Sequence, residues 1–183
     1  MLTKTIEGRE YPIADLPALS GAIYTVGIQF PTYAAYSTAT VQQLFSATAL
    51  QRALHYQVDT LASVYLQNDG HGRFTMTALP NLAQIAPVRG IIAYDVDGDG
   101  NLDLMVVGNL YDEEPNTPRA DAGEGLWLRG DGHGHFTPAP AAESGFRADG
   151  DVTGIALVKT PAGTAVLVAN NGDSLQAFRI PHR

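Results

Sequence analysis

Cysteine is absent from this 183-residue chain, which excludes disulfides, thiolate nucleophiles and cysteine-ligated zinc. That absence leaves the redox compartment open. Lysine occurs only as Lys4 and Lys159, and the formal net charge is −8. Such a balance repels a phosphate backbone, so nucleic acid is not an expected partner. No run approaches the roughly 20 apolar residues needed to cross a bilayer, and no membrane span is expected. The opening MLTKTIEGRE lacks the apolar core of a signal peptide, so none is expected in this chain. Glycine is missing from Pro31 to Leu66 and plentiful beyond. The length suffices for one sizeable core, and the glycine and proline content is that of a turn-rich globular protein.

What the chain does have is DVDGDGNLD, Asp95 to Asp103, with acids at the first, third, fifth and ninth places. Hard divalent cations, Ca²⁺ above all, take six to eight oxygen ligands, and alternating carboxylates supply them within a short loop. Gly98 and Gly100 allow the sharp turns between ligands. The flanks are apolar runs, Gly90–Tyr94 and Leu104–Val107, which read as strands. An EF-hand instead needs flanking helices and a bidentate Glu in the twelfth place. Val106 stands there, so the EF-hand is rejected. In the strand-flanked loop, Asp95, Asp97, Asp99 and Asp103 offer side chains and Asn101 its backbone carbonyl.

The glycine-free stretch suggests two short helices. Thr40-x-x-Gln43 has the form of a capping box. Ser46 is placed to cap a second helix whose stripe runs through Leu50, Leu54 and Val58. Tyr33 and Tyr36, three apart, read as packing residues. From Thr60 onward the chain repeats itself. Leu66–Thr75 (LQNDGHGRFT) matches Leu128–Thr137 (LRGDGHGHFT), each a strand, an Asp-Gly-x-Gly turn and a strand opening on Phe. Val88–Tyr94 likewise matches Val152–Val158, and Leu104–Asn109 matches Val166–Asn171. Between the matched strands of the last repeat, the acid-free Lys159–Thr164 (KTPAGT) replaces the acidic loop. A period of roughly 60 residues with four strands each is the signature of β-propeller blades. The expected fold is mainly β: a partial propeller of about two and a half four-stranded blades over 61–183, preceded by an N-terminal helical segment over 1–60.

With repeat and loop together, the chain resembles FG-GAP/VCBS-type repeat proteins, the calcium-loop propeller repeats also found in integrin α-subunit heads. The resemblance rests on DVDGDGNLDL followed by LWLRGDGHGHF and covers Leu61 to the C-terminus. It is similar further to the C-terminal portion of large bacterial FG-GAP-like proteins associated with ASPIC/UnbV modules, through YAAY (Tyr33–Tyr36), RADAGEG (Arg119–Gly125) and AESGF (Ala142–Phe146). No ASPIC/UnbV module itself is visible. The resemblance implies Ca²⁺ at Asp95, Asp97, Asp99, Asn101 and Asp103. It implies binding or adhesion toward carbohydrate or protein, and an extracellular or cell-envelope setting for the parent family. Since propellers have four to eight blades, an arc of this size is expected either to be a piece of a longer protein or to complete a ring by self-association into a homo-oligomer.

Other motifs weigh less. His133 and His135, with His71, suggest a transition-metal pair only weakly, since turn-position polarity accounts for them. Arg129-Gly130-Asp131 spells an adhesion tripeptide, yet its repeat counterpart Gln67-Asn68-Asp69 makes it repeat chemistry. The connection Tyr111–Glu124 carries Asp112, Glu113, Glu114, Asp121 and Glu124, as a solvated acidic loop would. The alternative function, a metal-dependent hydrolase of glycosides or phosphate esters, needs these acids or the Asp95–Asp103 loop to line a pocket formed on assembly. Ser46 and Ser144 lack a nucleophile elbow.

Overall fold

The computed structural model describes residues 1–113 and 117–180. Two compact units divide the chain, 1–59 and 60–183.

The first unit opens on a hairpin, β1 (Thr3–Ile6) and β2 (Arg9–Pro12). Its turn places Glu7 at φ 50° and Gly8 at φ 75°, the pair of left-handed residues that matches strand twist in a two-residue hairpin loop. Five short helices follow: α1 (Leu16–Ala22), α2 (Tyr24–Gln29), α3 (Tyr33–Tyr36), α4 (Val41–Leu44) and α5 (Ala47–Arg52). Helices this short do not hold in isolation. They hold here through caps and a small core of Leu16, Leu19, Val26, Tyr36, Ala39 and Leu44. Asp15 caps α1 by accepting from the Ala18 amide at 2.8 Å, and the Thr40–Gln43 capping box opens α4. The Tyr36 hydroxyl donates to the Ala14 carbonyl at 2.7 Å, and its ring meets Phe30 edge-on. Burial, followed by the nearby Asp15 charge, raises its pKa.

Two expectations need correction in this unit. Tyr33 is exposed, so only Tyr36 packs: α3 is a single turn, and one ring occupies the core beneath it. The stripe through Leu50, Leu54 and Val58 does not form. Ser46 caps α5 at 3.2 Å, but Ala53 is already extended and Leu54 and Val58 are exposed. Since α5 buries no residue, nothing beyond intrinsic propensity extends it.

The second unit is built from small antiparallel sheets that follow chain order. A hairpin pairs β3 (Val64–Asn68) with β4 (Phe74–Ala78). A four-stranded sheet then contains β5 (Gly90–Tyr94), β6 (Asp103–Val107), β7 (Leu126–Gly130) and β8 (Phe136–Ala139). After the one-turn α6 (Ala141–Ser144), a three-stranded sheet joins β9 (Val152–Thr160), β10 (Gly163–Asn170) and β11 (Gln176–Arg179). The molecule is mainly β, and among the described residues its sheets close into neither a barrel nor a propeller ring.

Two-residue periodicity divides the four-stranded sheet between two cores. Ile92, Met105, Trp127 and Ala139 form one cross-strand row. That row packs with Val152, Val166 and Val168 of the last sheet and with Phe146. The alternate residues Leu104, Val106, Leu126, Leu128 and Phe136 face Tyr65 and Leu79, with the Tyr65 and Phe136 rings edge to face at 5.5 Å. Many antiparallel sheets leave one face to water. This one is covered on both, and Leu128 is wholly buried.

Both Asp-Gly turns close in one way. Asp131 Oδ1 accepts from the His133 and His135 amides at 2.7 and 3.1 Å, and Asp69 Oδ1 from His71 and Arg73 at 2.7 and 3.2 Å. Side-chain oxygens thus satisfy turn amides that no ladder pairs. In the last sheet, Thr160 and Gly163 pair across a tight turn where the middle sheet carries its acidic loop.

Candidate metal centre

The β5–β6 connection folds by its own carboxylates. Asp95 accepts from the Gly98 amide at 2.7 Å through Oδ1 and from the Gly100 amide at 3.0 Å through Oδ2. Asp97 Oδ1 accepts from the Asp99 amide at 3.3 Å, and Asp99 Oδ1 from Asn101 at 2.7 Å. Gly98 and Gly100 sit at φ 78° and 89°, a region unfavourable to any residue bearing a Cβ. The chain therefore coils around a point, and one oxygen each from Asp95, Asp97 and Asp99 lies within 4.8 Å of the others. Like charges this close repel by about 1 kcal/mol per pair even in bulk water. A carboxylate has about four lone-pair sites, so each retains acceptor capacity beyond its bonds inside the loop.

Asn101 and Asp103 are placed differently. Asn101 donates from Nδ2 to Asp99 Oδ2 at 3.2 Å, and its Oδ1 lies against Gly132, where a Cβ would approach to 2.5 Å. Asp103 stands outside the converging group and is completely buried. Its Oδ2 accepts from the Val96 amide at 3.0 Å and Trp127 Nε1 at 3.1 Å, and its Oδ1 from the Gly130 amide at 2.9 Å. Three of its roughly four lone-pair sites are thus taken by the protein. Asp103 ties both ends of the loop to β7, and a Cβ on Gly130 would meet the Leu102 carbonyl at 2.1 Å. The acidic loop and the β7–β8 hairpin are one packed assembly.

Arg129 reaches into this assembly from β7. Its Nε lies 3.4 Å from Asp97 Oδ2, its NH2 group donates to Glu143 Oε1 at 2.6 Å, and its Cζ stands 4.7 Å over the Trp127 ring. The Glu143 hydrogen bond raises its pKa further, partly offset by desolvation. These contacts account for the tripeptide Arg129-Gly130-Asp131 within the fold: the arginine is engaged by two acids, the glycine admits a carbonyl, and the aspartate closes its own turn.

Among the described residues, no group of three or more acids and histidines other than Asp95, Asp97 and Asp99 comes together. His133 and His135 thus join no such group. In the connection after β6, Leu110 and Ala120 bridge, Arg119 stacks 5.0 Å from the Tyr111 ring centre, and Glu124 pairs with Arg147 at 3.4 Å. Glu114 lies outside the described residues.

Sequence reasoning missed Asn109. It is fully buried, donating to the Gly123 and Gly150 carbonyls at 2.9 Å each and accepting from the Gly123 amide at 2.9 Å. It fastens the long connection to the start of the last repeat. Its signal was an amide closing an apolar strand, recurring in the VLVANN match. The reach of Arg129 across β7 had no signal of its own, because its partners are set by tertiary packing.

Comparison with protein families, with curated proteins and with solved structures finds no match to this chain.

Proposed function

We propose that the chain is a calcium-stabilised segment of a β-propeller of the FG-GAP/VCBS kind, acting in binding or adhesion toward carbohydrate or protein in an extracellular or cell-envelope setting. The observation that carries the reading is the convergence of the Asp95, Asp97 and Asp99 carboxylates on one point of a strand-to-strand loop. An all-oxygen, anionic donor set suits a hard divalent cation and not a soft one. Asp95, Asp97 and Asp99 would hold the ion by side chains and Asn101 by its backbone carbonyl. Asp103 would add the one lone pair that its two amide partners and the Trp127 indole leave. The bound ion supplies charge neutralisation, which converts three mutually repelling carboxylates into folding free energy.

The stacked two-, four- and three-stranded antiparallel sheets support the blade reading, as does the sequence period that joins them. The outer face of the β3–β4 hairpin exposes Leu66, Phe74 and Met76, which supports self-association into a homo-oligomer that completes the ring. Calorimetric titration of chelator-treated protein with CaCl₂ tests the metal reading. One ion per chain is expected, lost in the Asp95→Asn, Asp97→Asn double variant; absence of binding, or binding unchanged by that variant, refutes it.

A further inference from the structure

Resting on the calcium reading above, we infer that Arg129 is a built-in competitor of the cation and sets the affinity of the Asp95–Asp103 loop. Among the described residues, Asp97 is the converging acid whose second oxygen faces a basic side chain. Its Oδ1 is held by the Asp99 amide, and its Oδ2 looks at Arg129 Nε across 3.4 Å. That Nε is shut off from solvent yet makes no hydrogen bond of good geometry. The guanidinium therefore lies near Asp97 by charge alone, while its NH2 group is committed to Glu143 at 2.6 Å. A positive group in this place lowers the carboxylates' repulsion when no ion is bound. It opposes a divalent ion arriving at the same oxygens. Glu143 decides how much of the arginine's charge is spent elsewhere.

The surroundings allow the exchange. A cavity of about 450 Å³ lies beside Arg129, bordered by Asp97, Trp127, Glu143, Phe178 and Arg179. The guanidinium has room to turn from Asp97 toward Glu143 while its stem stays over the Trp127 ring.

Calcium titration of the full chain by calorimetry, after chelator treatment, tests the inference with two substitutions outside the loop. Arg129→Met keeps the apolar stem and removes the charge, so its dissociation constant is expected to fall about three- to tenfold. Glu143→Gln releases Arg129 toward Asp97 and is expected to weaken binding about two- to threefold. The double variant should match Arg129→Met, because Glu143 acts through the arginine; a weaker double variant would overturn that route. Thermal unfolding in chelator confirms that each variant folds, and Glu143→Gln carries the test should Arg129→Met fail to do so. Wild-type binding with Arg129→Met unchanged or weaker overturns this inference and leaves the calcium site standing. No binding by wild type or variant overturns both.

Discussion

Asp103 and Asp97 sit in one nine-residue loop and do opposite work. Asp103 is buried and answers three N–H groups, whereas Asp97 turns an oxygen toward the point where the acids converge. Removing Asp103 strands buried donors, each costing about 1–3 kcal/mol. Asp103→Ala is therefore expected to lose at least about 3 kcal/mol in urea unfolding already in chelator, where ligation plays no part. Asp97→Asn should differ from wild type by under about 1 kcal/mol in chelator and lose most of the stabilisation that calcium gives. A loss for Asp103→Ala seen only with calcium, and not in chelator, would mean that its main role is ligation. At Asp131, the His133 amide and then the His135 amide lower the carboxyl pKa. A folded pKa below the unfolded one gives stability that is present above the ordinary carboxylate range. It is lost as pH falls through the depressed value. Asp131→Ala should accordingly narrow its gap to wild type as urea unfolding is repeated from pH 6 down to strongly acidic buffer. A gap that stays constant with pH contradicts the assignment.

Leu66 and Leu128 occupy the same place in two matching hairpins, LQNDG and LRGDG, and meet opposite surroundings. Leu128 is completely buried between sheets, while Leu66 is 54% exposed. Leu128→Ala is expected to cost about 2–5 kcal/mol, and Leu66→Ala under about 0.5 kcal/mol in dilute solution, both read from chemical unfolding. This pair marks what could be read from the chain and what could not. The hairpins were legible because Asp-Gly turns and alternating apolar residues are local signals. So were the flanking strands of the acidic loop and the Thr40–Gln43 capping box. Burial was not, since the same local pattern lies in the middle of a stack at Leu128 and on an outer face at Leu66. The failed helical stripe through Leu54 and Val58 has the same origin: periodicity offers an apolar face, and only a packing partner keeps it. At the candidate site, the converging acids were legible from their spacing. The separate task of Asp103 depends on Trp127 and Gly130, and the reach of Arg129 on Asp97 and Glu143, partners distant in sequence and joined by the fold.

At the largest scale, that of the whole second unit, sheets stacked in chain order leave an outer face. Leu66, Phe74 and Met76 on the β3–β4 hairpin are each more than half exposed, a concentration of apolar surface that favours association. Light scattering across a concentration series is expected to find an oligomer that Leu66→Glu with Met76→Glu dissociates; a wild-type monomer at all concentrations contradicts the ring-completing reading. Among the described residues, no helix is long and apolar enough to cross a membrane. On the proposed reading, the loop's carboxylates bind a divalent ion, and that binding stabilises the fold. The most direct measurement is the thermal midpoint of wild-type protein in saturating CaCl₂ against the same protein in chelator. Binding at about a hundred times the dissociation constant stabilises by about 2.7 kcal/mol, which corresponds to a rise of roughly 5–10 °C. A midpoint unmoved by calcium would contradict the account.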